Sequence, residues 1–357
     1  MKFAILGAGS AGQGLASYLS LKGYDINLFN LASEEVKVPR LQAIRARGGI
    51  EASGVIRGFA RISKVTTDIG EAIRDADIVI FTVRAFAHRK LFELCLPYFK
   101  KGQIVVVSTG YWISLRLRDV LEKLDGIIFA ETTLLPLISE AIGPAQVKIT
   151  GVKTGVRIAA FPATRTGEVM KSLKGSLPLV AGENVIETNL DSFNPTFHTP
   201  IALFNLGTLE RENNFEFYHL GVTPKIADII DLIDQERLNL AAKFGLKLTS
   251  GVDILKQYYD TSGATTREIF SNCRAFKGYI LPNVFDYIRE DVPYGLVPIA
   301  SFCDLVHVPN QATKAIISAW SLVDKVDYWE QGITTKQLGI ANMEASQVIK
   351  LVTTGKK

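Results

Sequence analysis

The chain has 357 residues, of which 47% are hydrophobic, and carries a formal net charge of +4. A composition this apolar can bury a large core, which excludes intrinsic disorder, and a small charge without basic blocks gives no argument for nucleic-acid binding. The length favours two domains over one.

The cysteines and the apolar runs predict the compartment. Cys95, Cys273 and Cys303 lie far apart and form neither a metal-binding spacing nor a disulfide framework, which suits a reducing environment. The apolar runs are too short to cross a bilayer, and the one near the N-terminus leads into glycines instead of a cleavage region. We therefore expect a cytoplasmic protein with no bound metal and no membrane partner.

The first stretch of the chain has the pattern of a dinucleotide-binding loop. A short apolar run at Phe3–Leu6, typical of a buried strand, precedes glycines in G-x-G-x-x-G spacing and then helical periodicity. The first glycine permits a tight turn, the second lets a pyrophosphate approach the backbone, and the third lets the helix pack on the strand. The N–H groups that open the helix would face the anion. The predicted cofactor-binding residues here are Gly7, Gly9, Ser10, Ala11 and Gly12.

The end of the second predicted strand, Asp25–Phe29, bears on the choice of cofactor. An acidic residue that reads the ribose of NAD normally stands there, and this chain has Asn30. A neutral amide does not repel a 2′-phosphate, and Ser33, Lys37 and Arg40 follow, which favours NADP. Because Asn30 can also bond a ribose hydroxyl, NAD stays open.

Strands and helices alternate through the first half, as in a doubly wound parallel sheet. Further strands are predicted at 54–55, 60–62, 77–83, 103–107, 127–130, 146–149 and 156–160, and helices at 69–74 and 91–100. The strand at 77–83 ends at Val83, and His88 follows at the edge where ligands bind such sheets. We assign Val83 to the cofactor and His88 to the substrate.

Long helical periods dominate after Gly182. They predict helices at 224–244, 313–323 and 335–340. The fold class is therefore an α/β Rossmann domain with a doubly wound parallel sheet, residues 1–182, followed by a mainly α-helical domain, residues 183–357.

Several motifs of the chain resemble those of the opine dehydrogenase family, which includes octopine, nopaline and N-(1-carboxyethyl)norvaline dehydrogenases. The most specific is E-D-V-P-Y-G-L-V-P at 290–298. The resemblance runs nearly end to end and also includes N-P-T-F-H-T-P at 194–200, F-Y-H-L-G-V-T-P at 217–224 and D-Q-E-R-L at 234–238.

The resemblance implies a Rossmann domain and a helical domain with the active site between them. It also implies a reaction, in which an amino acid condenses with a 2-keto acid and the imine takes a hydride from NAD(P)H. His198 matches the family's catalytic histidine and Asp291 the carboxylate that pairs with it. A histidine can move protons near neutral pH, and a carboxylate on its other nitrogen fixes the tautomer. The partners would then be two small molecules and a second copy of the chain in a homodimer.

The motifs indicate the substrate-binding residues less clearly than the catalytic pair. Asn194 lies four residues before His198 and would share its helix face, where it could orient a substrate carboxylate. Arg211 and Arg289 are candidates for charge-assisted bonds to the carboxylates. The chain departs from the family where Thr199 separates His198 from a proline, and where Asp286 replaces the arginine of R-Y-x-x-E-D. The substrate therefore stays open.

Two other functions compete with this one. A 2-keto acid or ketopantoate-type reductase would use the same two-domain plan without an amine. A catalytically silent protein that senses dinucleotide would keep the glycine loop alone, and the presence of both His198 and Asp291 disfavours it.

Overall fold

The computed structural model describes residues 1–31, 38–281 and 283–356, so Ser33 and Lys37 lie outside the described residues. The chain forms two compact units. One comprises Met1–Thr188 with Val352–Gly355, and the other comprises the described residues of Asn189–Leu351 with Lys356.

The first unit contains strands and helices in alternation. The strands are β1 Lys2–Leu6, β2 Asp25–Phe29, β3 Gly49–Gly54, β4 Gly58–Arg61, β5 Lys64–Thr66, β6 Ile78–Phe81, β7 Ile104–Val107, β8 Ile128–Thr132, β9 Leu137–Gly143, β10 Gln146–Val152, β11 Val156–Phe161 and β12 Leu179–Ala181. The helices are α1 Ser10–Leu21, α2 Val38–Arg47, α3 Ile69–Ile73, α4 His88–Cys95, α5 Ile113–Arg116, α6 Arg118–Leu121 and α7 Thr166–Leu173.

An eight-stranded sheet with the order β12-β11-β8-β7-β6-β1-β2-β5 forms the centre of this unit. Its neighbours pair in parallel except β8 and β11, which are antiparallel. Every residue of β6 and β7 is buried, because the sequences IVIF and IVVV have no polar alternation and suit a sheet covered on both faces. The strand order changes direction between β1 and β6, so the carboxyl ends of these strands define the position where doubly wound sheets bind ligands.

A second sheet, which the sequence does not predict, has the order β4-β3-β10-β9. The segments predicted as strands near 54–55, 60–62 and 146–149 correspond to β3, β4 and β10, but these strands belong to the second sheet and not to the main one. The sequence of β9 shows no strand pattern that we recognised. The physical reason is visible in β10, where exposed and buried residues alternate, as they do when only one face is covered. That face packs partly on α1, since α1 contacts β3, β4, β9 and β10.

The rest of the chain is helical. The helices are α8 Val185–Leu190, α9 Asn194–Phe204, α10 Leu206–Arg211, α11 Pro224–Lys243, α12 Gly251–Tyr259, α13 Thr266–Asn272, α14 Phe285–Asp291, α15 Val297–Leu305, α16 Gln311–Asp324, α17 Tyr328–Gln331 and α18 Ala345–Thr354. A π-helical turn, Val292–Leu296, joins α14 to α15. The helices predicted at 224–244 and 313–323 correspond to α11 and α16. The helix predicted at 335–340 is wrong, because this segment forms turns that end at Gly339 with a φ of +68°.

The D-Q-E-R-L motif at 234–238 stabilises the helical unit. Arg237 is completely buried, pairs with Asp234, and donates to the carbonyls of Leu190 and Thr249 at 2.9 and 2.8 Å. Glu236 accepts the backbone N–H groups of Ala312 and Thr313 at the start of α16. The motif therefore joins α11 to several other segments.

No helix in the described part of the chain combines the length and the apolar composition that crossing a bilayer requires.

Candidate active site

The glycine loop follows β1 and leads into α1, and at two of its positions the backbone geometry allows only glycine. Gly7 has a φ of +121°, which side chains rarely adopt, and its N–H donates to Phe29 O at 2.9 Å. A Cβ at Gly12 would lie 1.7 Å from Gly7 O, so only glycine fits where the helix crosses the end of the strand. These two glycines shape the loop itself.

Gly9 differs because its surroundings are open. It is the N-cap of α1, its residue type offers no capping side chain, and a Cβ built there meets no heavy atom within 4 Å. The N–H groups of the first helical turn have no partner within the helix, and together with this open space they suit a pyrophosphate, which needs donors and close access to the backbone. Ser10 and Ala11 begin the helix and are partly exposed, and the Ser10 hydroxyl accepts the N–H of Ala141 at 3.0 Å.

Asn30 is buried and holds the glycine loop. Its side-chain oxygen accepts the N–H of Ala8 at 3.1 Å, and its amide donates to Leu31 O at 3.2 Å. The sequence does not predict this contact across 22 positions. Asn30 thus has a structural task besides any contact with a ribose.

Val83 and His88 lie beyond the carboxyl end of β6. His88 is buried, and its Nε2 lies 3.0 Å from Val83 O. Burial, with a smaller effect of the Arg116 charge, lowers the pKa of His88 to about 3, so the ring is neutral at physiological pH. Its Nδ1 has no hydrogen-bond partner among the described residues. In a substrate role His88 would act as a neutral hydrogen-bonding group.

In the helical unit, His198 and Asp291 come together from 93 positions apart. His198 lies in the middle of α9 and is 5% exposed, and Asp291 is the last residue of α14 and 2% exposed. Nδ1 of His198 lies 2.7 Å from Oδ2 of Asp291. The carboxylate can only accept a hydrogen bond while ionised, so it fixes the proton on Nδ1 and leaves Nε2 as the acceptor in the neutral ring.

The E-D-V-P-Y-G block explains how these two helices meet. The π-helical turn follows Asp291 directly, and a Cβ at Gly295 would lie 2.3 Å from Cγ of Pro195 in the first turn of α9. Glycine therefore permits the close approach that brings the carboxylate to the histidine. Thr199 is accommodated within α9, where its hydroxyl donates to Pro195 O at 2.7 Å, and its carbonyl accepts the indole N–H of Trp320 at 3.0 Å.

The second ring nitrogen of His198 is also bonded. Nε2 lies 3.0 Å from the hydroxyl of Tyr218, and the ring of Tyr287 stacks on His198 with centroids 4.2 Å apart and planes 18° apart. Burial raises the pKa of Tyr218 well above its ordinary value, so the phenol stays protonated and donates to Nε2. Sequence reasoning missed both tyrosines as site residues. Their positions, one within F-Y-H-L-G-V-T-P and one four residues before Asp291, were the available signal.

The predicted substrate residues of this unit differ in their surroundings. Asn194 is the first residue of α9, is partly exposed, and makes no side-chain hydrogen bond to any residue in the described ranges. Arg211 is exposed at the end of α10 and donates to Gly207 O at 2.9 Å. Arg289 is exposed and lies 3.7 Å from the carboxylate of Asp324. The structure does not bring either arginine to His198 by a direct contact.

The fold and the two sites define a class: a two-domain, NAD(P)-dependent oxidoreductase with a Rossmann unit and a helical unit. Two family descriptions match the corresponding parts of the chain. "NADP oxidoreductase coenzyme F420-dependent" matches residues 2–110, and "NAD/NADP octopine/nopaline dehydrogenase, alpha-helical domain" matches residues 181–323. An opine dehydrogenase of Arthrobacter sp. (strain 1C) is 29% identical over 97% of each chain. The chain is therefore similar to opine dehydrogenases in its helical part and over nearly its whole length.

The fold of the whole chain is similar to the folds of several solved structures. Octopine dehydrogenase in complex with NADH and agmatine has a TM-score of 0.79 at 18% identity, and the match covers 100% of this chain and 98% of the other. A PanE/ApbA family ketopantoate reductase from Ralstonia eutropha JMP134 has a TM-score of 0.62 at 17% identity, with 91% and 99% covered. Both likenesses concern the fold alone.

Proposed function

We propose that the protein catalyses the NAD(P)H-dependent condensation of an amino acid with a 2-keto acid to an N-(1-carboxyalkyl) amino acid, an opine. The observation that carries the proposal is the buried His198, with Nδ1 held by Asp291 at 2.7 Å, within residues that match the octopine/nopaline dehydrogenase helical domain. A histidine oriented by a carboxylate is suited to the several proton transfers that imine formation and reduction require.

The two parts of the chain have separate tasks in this proposal. Residues 1–182 form the domain that binds the dinucleotide, which supplies the hydride. Residues 183–357 form the domain that binds the other substrates and carries His198 and Asp291. The proposed cofactor-binding residues are Gly7, Gly9, Ser10, Ala11, Gly12, Asn30 and Val83.

The proton transfers that the reaction requires define the role that we propose for His198. The amino acid enters as R–NH₃⁺ and must lose a proton to attack the keto carbon. The carbinolamine takes up a proton and loses water to form the iminium ion, and hydride addition followed by protonation gives the secondary ammonium product. His198 is the group that removes and returns these protons, and Asp291 stabilises the ring while it is charged. One proton per turnover is consumed in total.

The two carboxylates of the product need donors. Asn194 has a side chain without a partner in the described part of the chain, and it lies one turn from His198 on α9. We propose Asn194 for one carboxylate and Arg211 for the other, with Arg289 as the second candidate for the latter role. We keep His88 as a substrate residue that acts in its neutral form.

A simple 2-keto acid reductase is the second candidate function. The ketopantoate reductase fold supports it, since it covers 91% of this chain. In that reaction the same histidine would protonate an alkoxide, and no amine would be needed.

The experiment that separates the two is a matrix of keto acids (pyruvate, glyoxylate, oxaloacetate, 2-oxoglutarate) against amino acids, with NAD(P)H oxidation followed by absorbance and products identified by mass spectrometry. We expect oxidation only when both substrates are present, and a secondary amine dicarboxylate as product. Equal oxidation with a keto acid alone would assign the simple reductase. The same assay with NADH and NADPH tests the preference for NADP that we propose from Asn30.

We further propose that the enzyme is a cytoplasmic homodimer. Light scattering on the purified protein tests the oligomeric state, and fractionation of the source cells tests the location.

A further inference from the structure

The edge strand of the four-stranded sheet, β9, contacts the first residue of α1. The Ser139 hydroxyl donates to Ser10 O at 2.9 Å, and the N–H of Ala141 donates to the Ser10 hydroxyl oxygen at 3.0 Å. These partners lie 129 and 131 positions apart along the chain, within the same compact unit. β9 therefore donates two hydrogen bonds to the residue that directly follows Gly9 in the glycine loop.

A glycine one turn further along α1 makes this contact possible. A Cβ built at Gly14 would lie 2.3 Å from Oγ and 2.6 Å from Cβ of Ser139, so a side chain there would push β9 away from the helix. On its other side, β9 pairs with β10, which pairs in turn with β3. The two bonds to Ser10 thus come from a strand that is itself anchored within a sheet.

These bonds leave the proton of the Ser10 hydroxyl available. A serine hydroxyl carries one donor and two acceptor lone pairs. The oxygen accepts the Ala141 N–H, while the proton has no acceptor within the part of the chain that the structure describes. Ser10 is partly exposed and stands beside Gly9, where a built Cβ meets no heavy atom within 4 Å. The hydroxyl is therefore held by β9 and keeps a donor next to the open space at the start of α1.

We propose that the Ser10 hydroxyl donates to a phosphate oxygen of the bound dinucleotide, and that Ser139 is the positioning residue that holds Ser10 for this bond. The proposal rests on the proposed function, because it assumes that the glycine loop binds the pyrophosphate. A hydroxyl that donates to an anion forms a charge-assisted hydrogen bond, which is about twice as strong as a bond between neutral groups. The N–H groups at the start of α1 and the hydroxyl would then share one anion.

The alternative is that the contact between β9 and α1 serves packing alone. Loss of the Ser139 hydroxyl would then lower the free energy of unfolding and have no effect on cofactor affinity that depends on Ser10. If Ser139 acts through Ser10, its removal weakens dinucleotide binding only while the Ser10 hydroxyl is present. The dependence of one substitution on the other therefore distinguishes the two roles.

The first test concerns the donor itself. Ser10→Ala should weaken the binding of NADH and NADPH in calorimetry by about tenfold or more, because it removes a hydrogen bond to a charged group. Both dinucleotides should be affected alike, since they share the pyrophosphate. Ser10→Thr keeps the hydroxyl and should bind within about threefold of the wild type. Wild-type affinity in Ser10→Ala, or equal losses in both variants, would overturn the proposal.

The second test concerns the positioning residue. Ser139→Ala should weaken binding by about threefold or more in the wild-type background and by much less in the Ser10→Ala background. The matched control is Ser53→Ala, because the Ser53 hydroxyl donates to Val147 O at 3.4 Å within the same sheet and bonds no described residue of the glycine loop. Its affinity should equal that of the wild type. An equal loss from Ser139→Ala in both backgrounds, or a loss of the same size in Ser53→Ala, would overturn the positioning role.

These measurements need only the protein and a dinucleotide, so failure of the inference is separable from failure of the proposed function. If the wild type bound neither dinucleotide, the glycine loop would be refuted as the cofactor site, and the inference with it. Binding by the wild type that Ser10→Ala and Ser139→Ala leave unchanged would overturn the inference alone. Thermal unfolding of each variant without dinucleotide shows that folded proteins are being compared.

Discussion

The geometry of the glycine loop is set almost entirely by backbone atoms, whereas the geometry around His198 is set by side chains. In the loop, the important property is the absence of a Cβ, and the residues concerned lie within six positions of one another. At His198, an imidazole, a carboxylate and a phenol converge from segments up to 93 positions apart. A local backbone site can be read from spacing, while a site of distant side chains requires the fold.

The largest effect that tests this contrast is expected at Gly9. Gly9→Val should abolish NADH and NADPH binding in calorimetry, since the new side chain would occupy the open space beside the first turn of α1. Its thermal unfolding should stay close to that of the wild type. The matched variant Gly12→Ala should instead lose about 1–3 kcal/mol or more of stability through overpacking against Gly7 O. Wild-type dinucleotide binding by Gly9→Val would refute the loop as the cofactor site.

The pair in the helical unit should show the second largest effect. His198→Ala should lower turnover roughly 10²-fold or more while leaving dinucleotide binding intact, because only an acid–base group is removed. Asp291→Asn should resemble it, and the double variant should be little worse than either single one, since both residues serve one function. Steady-state rates of the three variants test this, and additive losses would mean that the two residues act separately.

His88 offers a test in the first unit that does not depend on activity. Its folded pKa of about 3 lies below the ordinary value of 6.5. Between these values the unfolded chain binds a proton that the folded chain does not, so stability falls as the pH falls, by about 1.4 kcal/mol per pH unit. Urea unfolding of the wild type and His88→Gln from pH 4.5 to 6.5 should show a shallower slope for the variant. Parallel slopes would contradict the buried neutral ring.

The smallest effect is expected at Asn30. Asn30→Asp keeps an oxygen to accept the Ala8 N–H and adds a charge that repels a 2′-phosphate, so preference should shift towards NADH by roughly tenfold or less. Asn30→Ala should instead weaken both dinucleotides alike, because it loses the bond that holds the loop. Kd values for both dinucleotides check this. An unchanged ratio in Asn30→Asp would place the side chain away from the 2′-position.

Whether a feature could be predicted from the sequence depends on how far apart along the chain its interacting residues lie. The β1–loop–α1 unit, the buried parallel strands and α11 could be predicted, because each depends on the composition of one continuous segment. The separate four-stranded sheet could not, since β3 pairs with β10 almost a hundred residues later. The pairing of His198 with Asp291 came from a family resemblance, and Tyr218, Tyr287 and the Asn30–Ala8 bond appear only in three dimensions. The 335–340 segment has helical periodicity, but Gly339 ends it in a turn.

The bond from Trp320 to the carbonyl of Thr199 gives the helical unit an internal optical reporter. The indole is completely buried, and its N–H donates a hydrogen bond to the carbonyl of the residue that follows His198. Indole emission is sensitive to the strength of that hydrogen bond and to nearby charge. A movement of α9, or the appearance of an imidazolium next to Thr199, would therefore change the intrinsic fluorescence of the unlabelled protein, and subtraction of a Trp320→Phe spectrum would isolate the signal.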